Sequence, residues 1–408
     1  MRGDVNAKTI SELIERQEPG HTLEQPFYID NEIFQRDLEC IVNRQWLFVD
    51  HVSRVSNPGD YFLYEIAGES IIVVRAEDGD IHAHFNVCRH RGSRVCIESE
   101  GRLNRFVCPY HAWAYALDGP LLSARQMPQD FDTSSWHLHR CAVRVFEGLI
   151  YVSLSDIDRA ADFDLITMNL CPYVAAHGLA KSKIACRRTY STDANWKLVV
   201  ENFRECYHCL PAHPEYTAVN AYVRANEKVV GAYGEAIEEW NVKASAMGSA
   251  VGLFDSAGFD IQPHGAQRQP IRDGYLSLTQ DGKPAAPLMG DFKQYDGGET
   301  FVYIGPLHYM SLANDHGTLF RFTPVTPVHT EVMVTWLVDE TAREGVDYQV
   351  EHLKWMWDVT TVEDTKIINN NQQGVNSRRY RPGPYSMREG FTQRFTEWYL
   401  DQIKSECR

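Results

Sequence analysis

Glu201-Asn202-Phe203-Arg204-Glu205-Cys206-Tyr207-His208-Cys209-Leu210-Pro211-Ala212-His213 is the stretch from which the rest of the chain is read. As a helix it sets Glu205 and His208 three residues apart on one face, where both side chains reach a common object. His213 falls off that face, but Pro211 and Pro214 bracket it and turn the backbone away from α conformation, so it curls back as a loop ligand. Two imidazoles and one carboxylate on one side of an ion, with the other positions open, is the arrangement of non-haem Fe(II) enzymes that activate O2. One carboxylate ligand is then still to be found. By spacing alone, a surface helix with two ordinary histidines fits the stretch as well.

A second group of ligand types lies upstream. Cys88-Arg89-His90 and Cys108-Pro109-Tyr110-His111 form a Cys-x-His and a Cys-x-x-His, with residues 91–107 between them. Two thiolates and two imidazoles suit either a tetrahedral zinc or a 2Fe-2S cluster with two histidines on one iron, the Rieske arrangement. The alternating order favours the cluster, because each loop then gives one thiolate to one iron and one imidazole to the other.

The surroundings of this group alternate with a period of two. Ile71–Ala76 and Ile81, Ala83, Phe85 and Val87 flank an Asp78-Gly79 hairpin turn, and strand-like runs follow at 103–107, 113–117 and 148–154, with Asp118-Gly119 as another turn. These predict a small antiparallel β domain over residues 45–155. Residues 1–44 are expected to add short helices that pack on the catalytic domain, with Thr9 and Glu12 as a capping box and Asp30 capping a helix that carries Phe34, Leu38, Ile41 and Val42.

Residues 156–408 are expected to form the catalytic domain. A loose acidic segment at 156–164 precedes a strand-like run at 186–192, which leads into the central helix. Residues 226–300, rich in Gly and polar residues, predict long loops over a pocket. Strand character returns at 308–312, 319–323 and 331–338, a long helix spans 348–371, and Phe395, Trp398, Tyr399 and Ile403 mark a last amphipathic helix. The expected fold class is α+β: a small antiparallel β domain plus a larger domain whose antiparallel sheet is covered by helices.

Composition excludes some classes of function. With 40 Lys+Arg against 55 Asp+Glu, a net charge of −15 and a pI near 5.5, the chain lacks the basic surface that tracks nucleic acid. Its N-terminus has no apolar core of signal-peptide length, and no run approaches the roughly 18 apolar residues that cross a bilayer, so a cytoplasmic protein without a membrane partner is expected. Ten cysteines at irregular spacing are read as reduced thiols, some of them metal ligands. There is no Gly-x-Gly-x-x-Gly turn and no Cys-x4-Cys-x2-Cys run, so electrons must come from a separate NAD(P)H reductase.

With both motifs present in order, the sequence resembles the catalytic (alpha) subunit of Rieske non-haem iron oxygenases over nearly its whole length. The resemblance implies a 2Fe-2S cluster on Cys88, His90, Cys108 and His111, and a mononuclear Fe(II) on His208 and His213, with O2 as co-substrate. The family pattern of an acidic pair followed by Asn-Gln-x-Gly matches Glu363-Asp364 and Asn371-Gln372-Gln373-Gly374, which makes Asp364 the third ligand, with Asp358 and Glu363 as competitors. Glu205 takes the place of the acid that joins a mononuclear-site histidine to a cluster histidine, here His111, across a subunit boundary in a homotrimer.

Ring-dihydroxylating members typically carry Asp at that place. A Glu resembles the branch acting on quaternary amines, and the runs 204–209, 336–338, 344–348 and 382–386 are similar to glycine betaine and stachydrine (proline betaine) demethylases. The implied reaction is hydroxylation of an N-methyl group, followed by collapse of the carbinolamine to formaldehyde and the demethylated amine. A quaternary ammonium donates no hydrogen bond, so Phe203, Tyr207, Trp240, Tyr303 and Tyr309 are the candidate cage. The donor for a substrate carboxylate and the choice between the two betaines stay open. The rival readings are an aromatic-ring hydroxylating or O-demethylating oxygenase, a zinc-stapled binding protein and a Rieske electron carrier.

Overall fold

The computed structural model describes residues 7–155, 161–220, 230–256 and 262–404, and among them no helix is long and apolar enough to cross a membrane. The chain divides into two compact units, one of residues 43–160 and one that joins residues 1–42 to 161–408.

The smaller unit is β-rich. Its strands are β1 (Trp46–His51), β2 (Asp60–Ile66), β3 (Glu69–Arg75), β4 (Ile81–Phe85) and β5 (Glu100–Arg102), then β6 (Phe106–Val107), β7 (Ala114–Tyr115), β8 (Leu121–Ser123), β9 (Arg140–Phe146) and β10 (Leu149–Ser153). Seven of them form an antiparallel sheet in the order β1-β10-β9-β4-β3-β2-β5, while β6, β7 and β8 form a separate three-stranded sheet. Asp78-Gly79 turns β3 into β4 with Gly79 at φ 88°. Gly119, at φ 109° between β7 and β8, is required for space too, since a Cβ there would lie 2.8 Å from the His84 ring. The sequence did not predict β1 or β9, and the run at 103–107 shrinks to the two-residue β6. Two hairpins close on Ala67-Gly68 and Glu147-Gly148, both residues of each at positive φ, as two-residue turns require. Ala and Glu are poor signals for that conformation, which hid both turns.

The larger unit carries β11 (Ser182–Thr192), β12 (Gly252–Asp255), β13 (His264–Pro270), β14 (Gly298–Ile304), β15 (His308–Leu312), β16 (Gly317–Thr326) and β17 (His329–Asp339). They form one antiparallel sheet in the order β11-β17-β16-β15-β14-β13-β12. Helices α1 (Ala7–Glu15), α2 (Pro26–Ile29), α3 (Asn31–Cys40), α4 (Phe163–Val174), α5 (Trp196–Phe203), α6 (Cys209–Ala212), α7 (Pro214–Val219), α8 (Val230–Ala246), α9 (Val350–Val375) and α10 (Gly390–Lys404) complete it. The α+β class holds. The expected loop region is corrected: α8, β12, β13 and the start of β14 fall within 226–300, although residues 226–229 and 257–261 lie outside those described. β12 and β13 lack clean alternation, and what makes them strands is pairing, β13 with β14 and β12 with β13. Thr9 lies inside α1 rather than capping it, whereas Asp30 caps α3 by accepting from the Glu32 and Ile33 amides at 2.8 and 3.3 Å. Part of the acidic segment, 156–160, lies outside the described residues; Asp162 caps α4.

α5 positions the site, and two polar links fix it. Asn195 caps its first turn through the Lys197 amide, while the Asn195 N–H donates to Gln372 Oε1 on α9 at 2.8 Å. Beneath it, the buried Asp37 of α3 accepts from Lys197 Nζ, from Trp196 Nε1 at 3.0 Å and from Tyr399 of α10 at 2.7 Å. Three donors converge on one buried carboxylate, so its charge is matched only while Lys197 is present. Lys197→Met will leave that charge uncompensated and cost about 3–5 kcal/mol of stability in this unit, read as an earlier urea midpoint of its unfolding transition. An unchanged midpoint would show that the pair contributes nothing net.

Candidate metal centres and cavity

In the smaller unit the two ligand-bearing loops make similar turns. The Cys88 N–H donates to Ser93 O at 2.8 Å and the Gly92 N–H returns to Cys88 O at 3.0 Å. Likewise the Cys108 N–H donates to Trp113 O at 2.8 Å and the Ala112 N–H to Cys108 O at 3.0 Å. The thiols of Cys88 and Cys108 are buried in the core beside Ile72, Phe106 and Tyr115, whereas His90 and His111 are exposed. Their rings stand 4.6 Å apart, and His90 stacks on Trp113. Burial pushes the Cys88 thiol up, Tyr115 opposes, and the adjacent Cys108 adds to the rise.

Like donors therefore sit side by side, sulfur with sulfur and nitrogen with nitrogen. A tetrahedral zinc would gather all four within about 4 Å of each other, given Zn–S bonds of about 2.3 Å. Among the described residues, no three of these four donors gather within 4.8 Å of one another. A two-iron cluster, with a thiolate pair on one iron and an imidazole pair on the other, fits this spread.

In the larger unit, His208, His213 and Asp364 offer one ligand atom each within 4.8 Å of one another. Asp364 Oδ1 lies 3.4 Å from His208 Nε2 and 3.0 Å from His213 Nε2. The opposite nitrogen of each ring is held by another carboxylate: Glu205 Oε1 is 2.5 Å from His208 Nδ1, and Glu363 Oε2 is 2.8 Å from His213 Nδ1. Both rings thus present Nε2 to one point, the carboxylate–histidine–metal pattern.

Burial lowers the His208 pKa, but hydrogen bonds to Asp364 and Glu205 outweigh it and push it up to about 9. Burial acts to raise Asp364, yet both histidines hold it below the usual carboxylate range. Three carboxylates around two imidazoles form an electronegative centre where a divalent cation can replace the protons.

The geometry decides among the three acids. The buried stripe of α9 runs Trp357, Thr360, Thr361, Asp364, Ile368 and Gln372, which aims Asp364 inward. Glu363 falls beside the stripe and reaches only the outer nitrogen of His213. Asp358 pairs with Arg188 at 2.7 Å, away from the histidines.

The expected local conformation is corrected. α5 ends at Phe203, so Glu205 and His208 meet across a turn rather than on a helical face. The Glu205 carboxylate makes this turn by accepting from the Tyr207 and His208 amides, a local cap that competes with helix. His213 is non-helical as expected, but α6 and α7 flank it, with Pro214 at the first position of α7, where no donor is needed. The expectation of reduced thiols fails at Cys206 and Cys209, which form a disulfide with Cα atoms 4.9 Å apart, and at Cys40, which is also disulfide-bonded. The turn brings the first two within bridging range, which composition does not reveal.

A cavity of about 360 Å³ lies against the three-ligand site. Phe203, Glu205, Cys206, Tyr216 and Phe301 border both the cavity and the pocket around the ligands, so the two are continuous. Of the five expected cage residues, Phe203, Tyr303 and Tyr309 line it. Tyr207 does not, being 56% exposed, and neither does Trp240, whose Nε1 donates to Asp296 O at 2.6 Å. The sequence reading missed Tyr216 and Phe301, and gave no role to Arg204, Asn220 or Glu299, which also line the cavity. Glu299, Phe301 and Tyr303 alternate along β14, so period two carried that signal; which face meets the cavity depends on pairing with β13 and β15.

Residues 45–146 match the Rieske [2Fe-2S] domain and residues 179–405 the ring-hydroxylating alpha subunit (catalytic domain). The chain belongs to this family: it is a Rieske non-haem iron oxygenase, with a 2Fe-2S cluster and a mononuclear iron as cofactors and O2 as co-substrate.

Among its relatives is the oxygenase subunit of glycine betaine monooxygenase from Chromohalobacter salexigens, 37% identical over 97% of this chain and 88% of the relative. The oxygenase subunit of carnitine monooxygenase from Escherichia coli is 30% identical over 88% of this chain and 86% of the relative. The fold also matches the quaternary ammonium Rieske monooxygenase CntA, with a TM-score of 0.70 at 20% identity over 97% of this chain and 98% of that one.

Proposed function

We propose that this chain is the oxygenase subunit of a monooxygenase that oxidatively N-demethylates a quaternary ammonium betaine, glycine betaine or proline betaine. The observation that carries the reading is the wall between cavity and ligand site, built from Phe203, Tyr216 and Phe301. Such aromatic faces hold a cation that cannot donate a hydrogen bond, at about 0.5–2 kcal/mol each. The named relatives act on substrates of that class.

In this reading Cys88, His90, Cys108 and His111 hold the cluster, and His208, His213 and Asp364 hold the iron. Bound iron supplies activation of O2 at the open side of its three-ligand face. The chain's residues do the rest. Glu205 and Glu363 fix the imidazoles through Nδ1, and the aromatic walls hold one N-methyl carbon toward the ligand site and keep water from it. The methyl C–H becomes C–OH, the second oxygen atom leaves as water, and two electrons come from NAD(P)H. The carbinolamine then breaks its C–N bond, releasing formaldehyde and the tertiary amine with its proton.

A separate NAD(P)H-dependent reductase supplies those electrons, and we place both proteins in the cytoplasm. The exposed imidazoles of His90 and His111 suit a homotrimer in which His111 of one subunit faces Glu205 of the next.

The test is to supply iron-replete protein with a compatible reductase, NADH and O2, and to assay formaldehyde from glycine betaine, proline betaine, carnitine and choline against aromatic acids. Formaldehyde from a betaine in step with NADH use is expected. Oxygenated aromatic products without formaldehyde from any amine would transfer the assignment to an aromatic oxygenase. A colourless protein with zinc and no iron would overturn the whole reading.

A further inference from the structure

We propose that the cavity is built for a zwitterion, with Arg204 as the receptor for the substrate carboxylate and Glu299 as the counter-charge to its ammonium. The proposal rests on the demethylase reading and supplies the carboxylate donor that the sequence left open.

Arg204 follows the last turn of α5 and lines the cavity. Its Nε donates to the Tyr309 hydroxyl at 2.9 Å, Nη2 approaches Gly305 O at 3.5 Å, and the guanidinium lies 4.2 Å over the Tyr303 ring. All these partners are uncharged. Among the described residues Arg204 forms no ion pair. The nearest acid in the network is Asp255, which accepts from the Tyr303 hydroxyl and is already paired with Arg394 at 2.7 Å. A charge withdrawn from water and left without a counter-ion is costly, and a guanidinium cannot shed its proton to escape that cost. A ligand carboxylate would complete it in the fork geometry that guanidinium favours.

An acid lies farther along the same wall, where burial pushes its carboxyl up and an ammonium beside it would favour the charged form. Glu299, 1% exposed, lines the cavity from the same face of β14 as Phe301 and Tyr303. Its Oε1 accepts from Ser311 Oγ at 2.5 Å, and Ser311 accepts in turn from Nε1 of Trp357, which borders the ligand pocket. That chain of contacts puts Glu299 at the iron end. Nearby basic side chains are committed elsewhere: Arg268 to Asp296 at 2.5 Å and His316 to Asp315 at 2.8 Å. Beside it, the Asn220 amide is 1% exposed, lines the cavity and favours the charged form of the Glu299 carboxylate.

Glu299 and Tyr303 stand four strand positions apart, about 13 Å along the backbone. That span holds the short nitrogen-to-carboxylate link of a betaine with a contact distance at each end. It also sets the direction: the ammonium and its methyl groups toward the iron ligands, the carboxylate toward Arg204. A cation without a carboxylate, such as choline, leaves Arg204 unmatched, so a betaine is preferred.

Three probes of one shape separate the charges: glycine betaine, choline, and 3,3-dimethylbutanoate, the carbon isostere that keeps the carboxylate and loses the ammonium charge. Kd would be measured on holoenzyme for the wild type, Arg204→Gln, Arg204→Lys and Glu299→Gln, with cluster absorption as the check on folding. Arg204→Gln is expected to weaken betaine and dimethylbutanoate about tenfold or more and to leave choline nearly unchanged, with partial recovery in Arg204→Lys. Glu299→Gln is expected to weaken betaine and choline and to spare dimethylbutanoate.

Equal weakening of all three probes by either variant would reduce that residue to a packing role and overturn the proposal, as would no change. A wild type that releases formaldehyde from betaine but fails this charge pattern leaves the demethylase reading standing and removes the inference alone. A wild type that binds no quaternary ammonium removes both.

Discussion

Replacing Asp364 by Ala will empty the mononuclear iron site and lower product formation by more than about 100-fold, beyond the range seen when only an outer partner of a ligand is lost. The cluster will remain, because Cys88, His90, Cys108 and His111, the residues proposed to hold it, lie in the other unit. Asp364 Oδ1 is the atom on which both Nε2 nitrogens converge, and among the described residues no other acid joins that three-ligand group. The neighbouring acids provide the contrast. Glu363→Gln keeps the side chain's size but removes the carboxylate from His213 Nδ1, so iron affinity should fall by about 10–100-fold rather than vanish. Asp358→Ala removes an ion pair with a half-exposed Arg188, worth at most about 1 kcal/mol, and should leave iron content unchanged. Iron stoichiometry, with the spectrum of the reduced cluster as internal reference, reads all three. Full iron content in Asp364→Ala, or its loss in Asp358→Ala, would remove Asp364 as the third ligand.

Glu205→Gln will lower product formation by about 100-fold while iron loading falls far less and the reductase still reduces the cluster at the wild-type rate. The carboxylate holds His208 Nδ1 and caps the turn through two amides, and an amide of the same shape keeps neither the charge nor both acceptor oxygens. The distinguishing experiment is a single turnover with pre-reduced cluster, substrate and O2. If Glu205 links the two redox sites, the cluster of Glu205→Gln stays reduced for far longer than that of the wild type, and Glu205→Asp recovers part of the rate. Re-oxidation at the wild-type rate with full product would confine Glu205 to local structure.

Most of the side chains that form the two candidate metal centres were legible in the chain. Cys88, His90, Cys108 and His111 declare themselves by ligand type and loop spacing, and the Asp78-Gly79 and Asp118-Gly119 turns frame them. His208 and His213 follow from the quoted stretch even though its helix was misplaced, because the Glu205 carboxylate finds His208 across a turn as readily as along a helix. The cavity was far less legible. Tyr207 is exposed and Trp240 bonds to Asp296, so neither lines the cavity, while Tyr216 carried no local signal and the period of two at Glu299 and Phe301 did not say which face meets the cavity.

The sequence by itself determined which atoms are available to bind metal, the order in which they come, and the periods and turns of the elements that carry them. These depend on side-chain chemistry and on backbone preferences spanning a few residues. The tertiary structure decided that Asp364 rather than Asp358 or Glu363 meets the histidines, that Cys206 and Cys209 join, and that Arg204 and Glu299 line one cavity. Those outcomes depend on the rotation of α9, on the course of a single turn and on the register of β13, β14 and β15. Such quantities are fixed by packing between residues distant in the chain, and no local pattern encodes them.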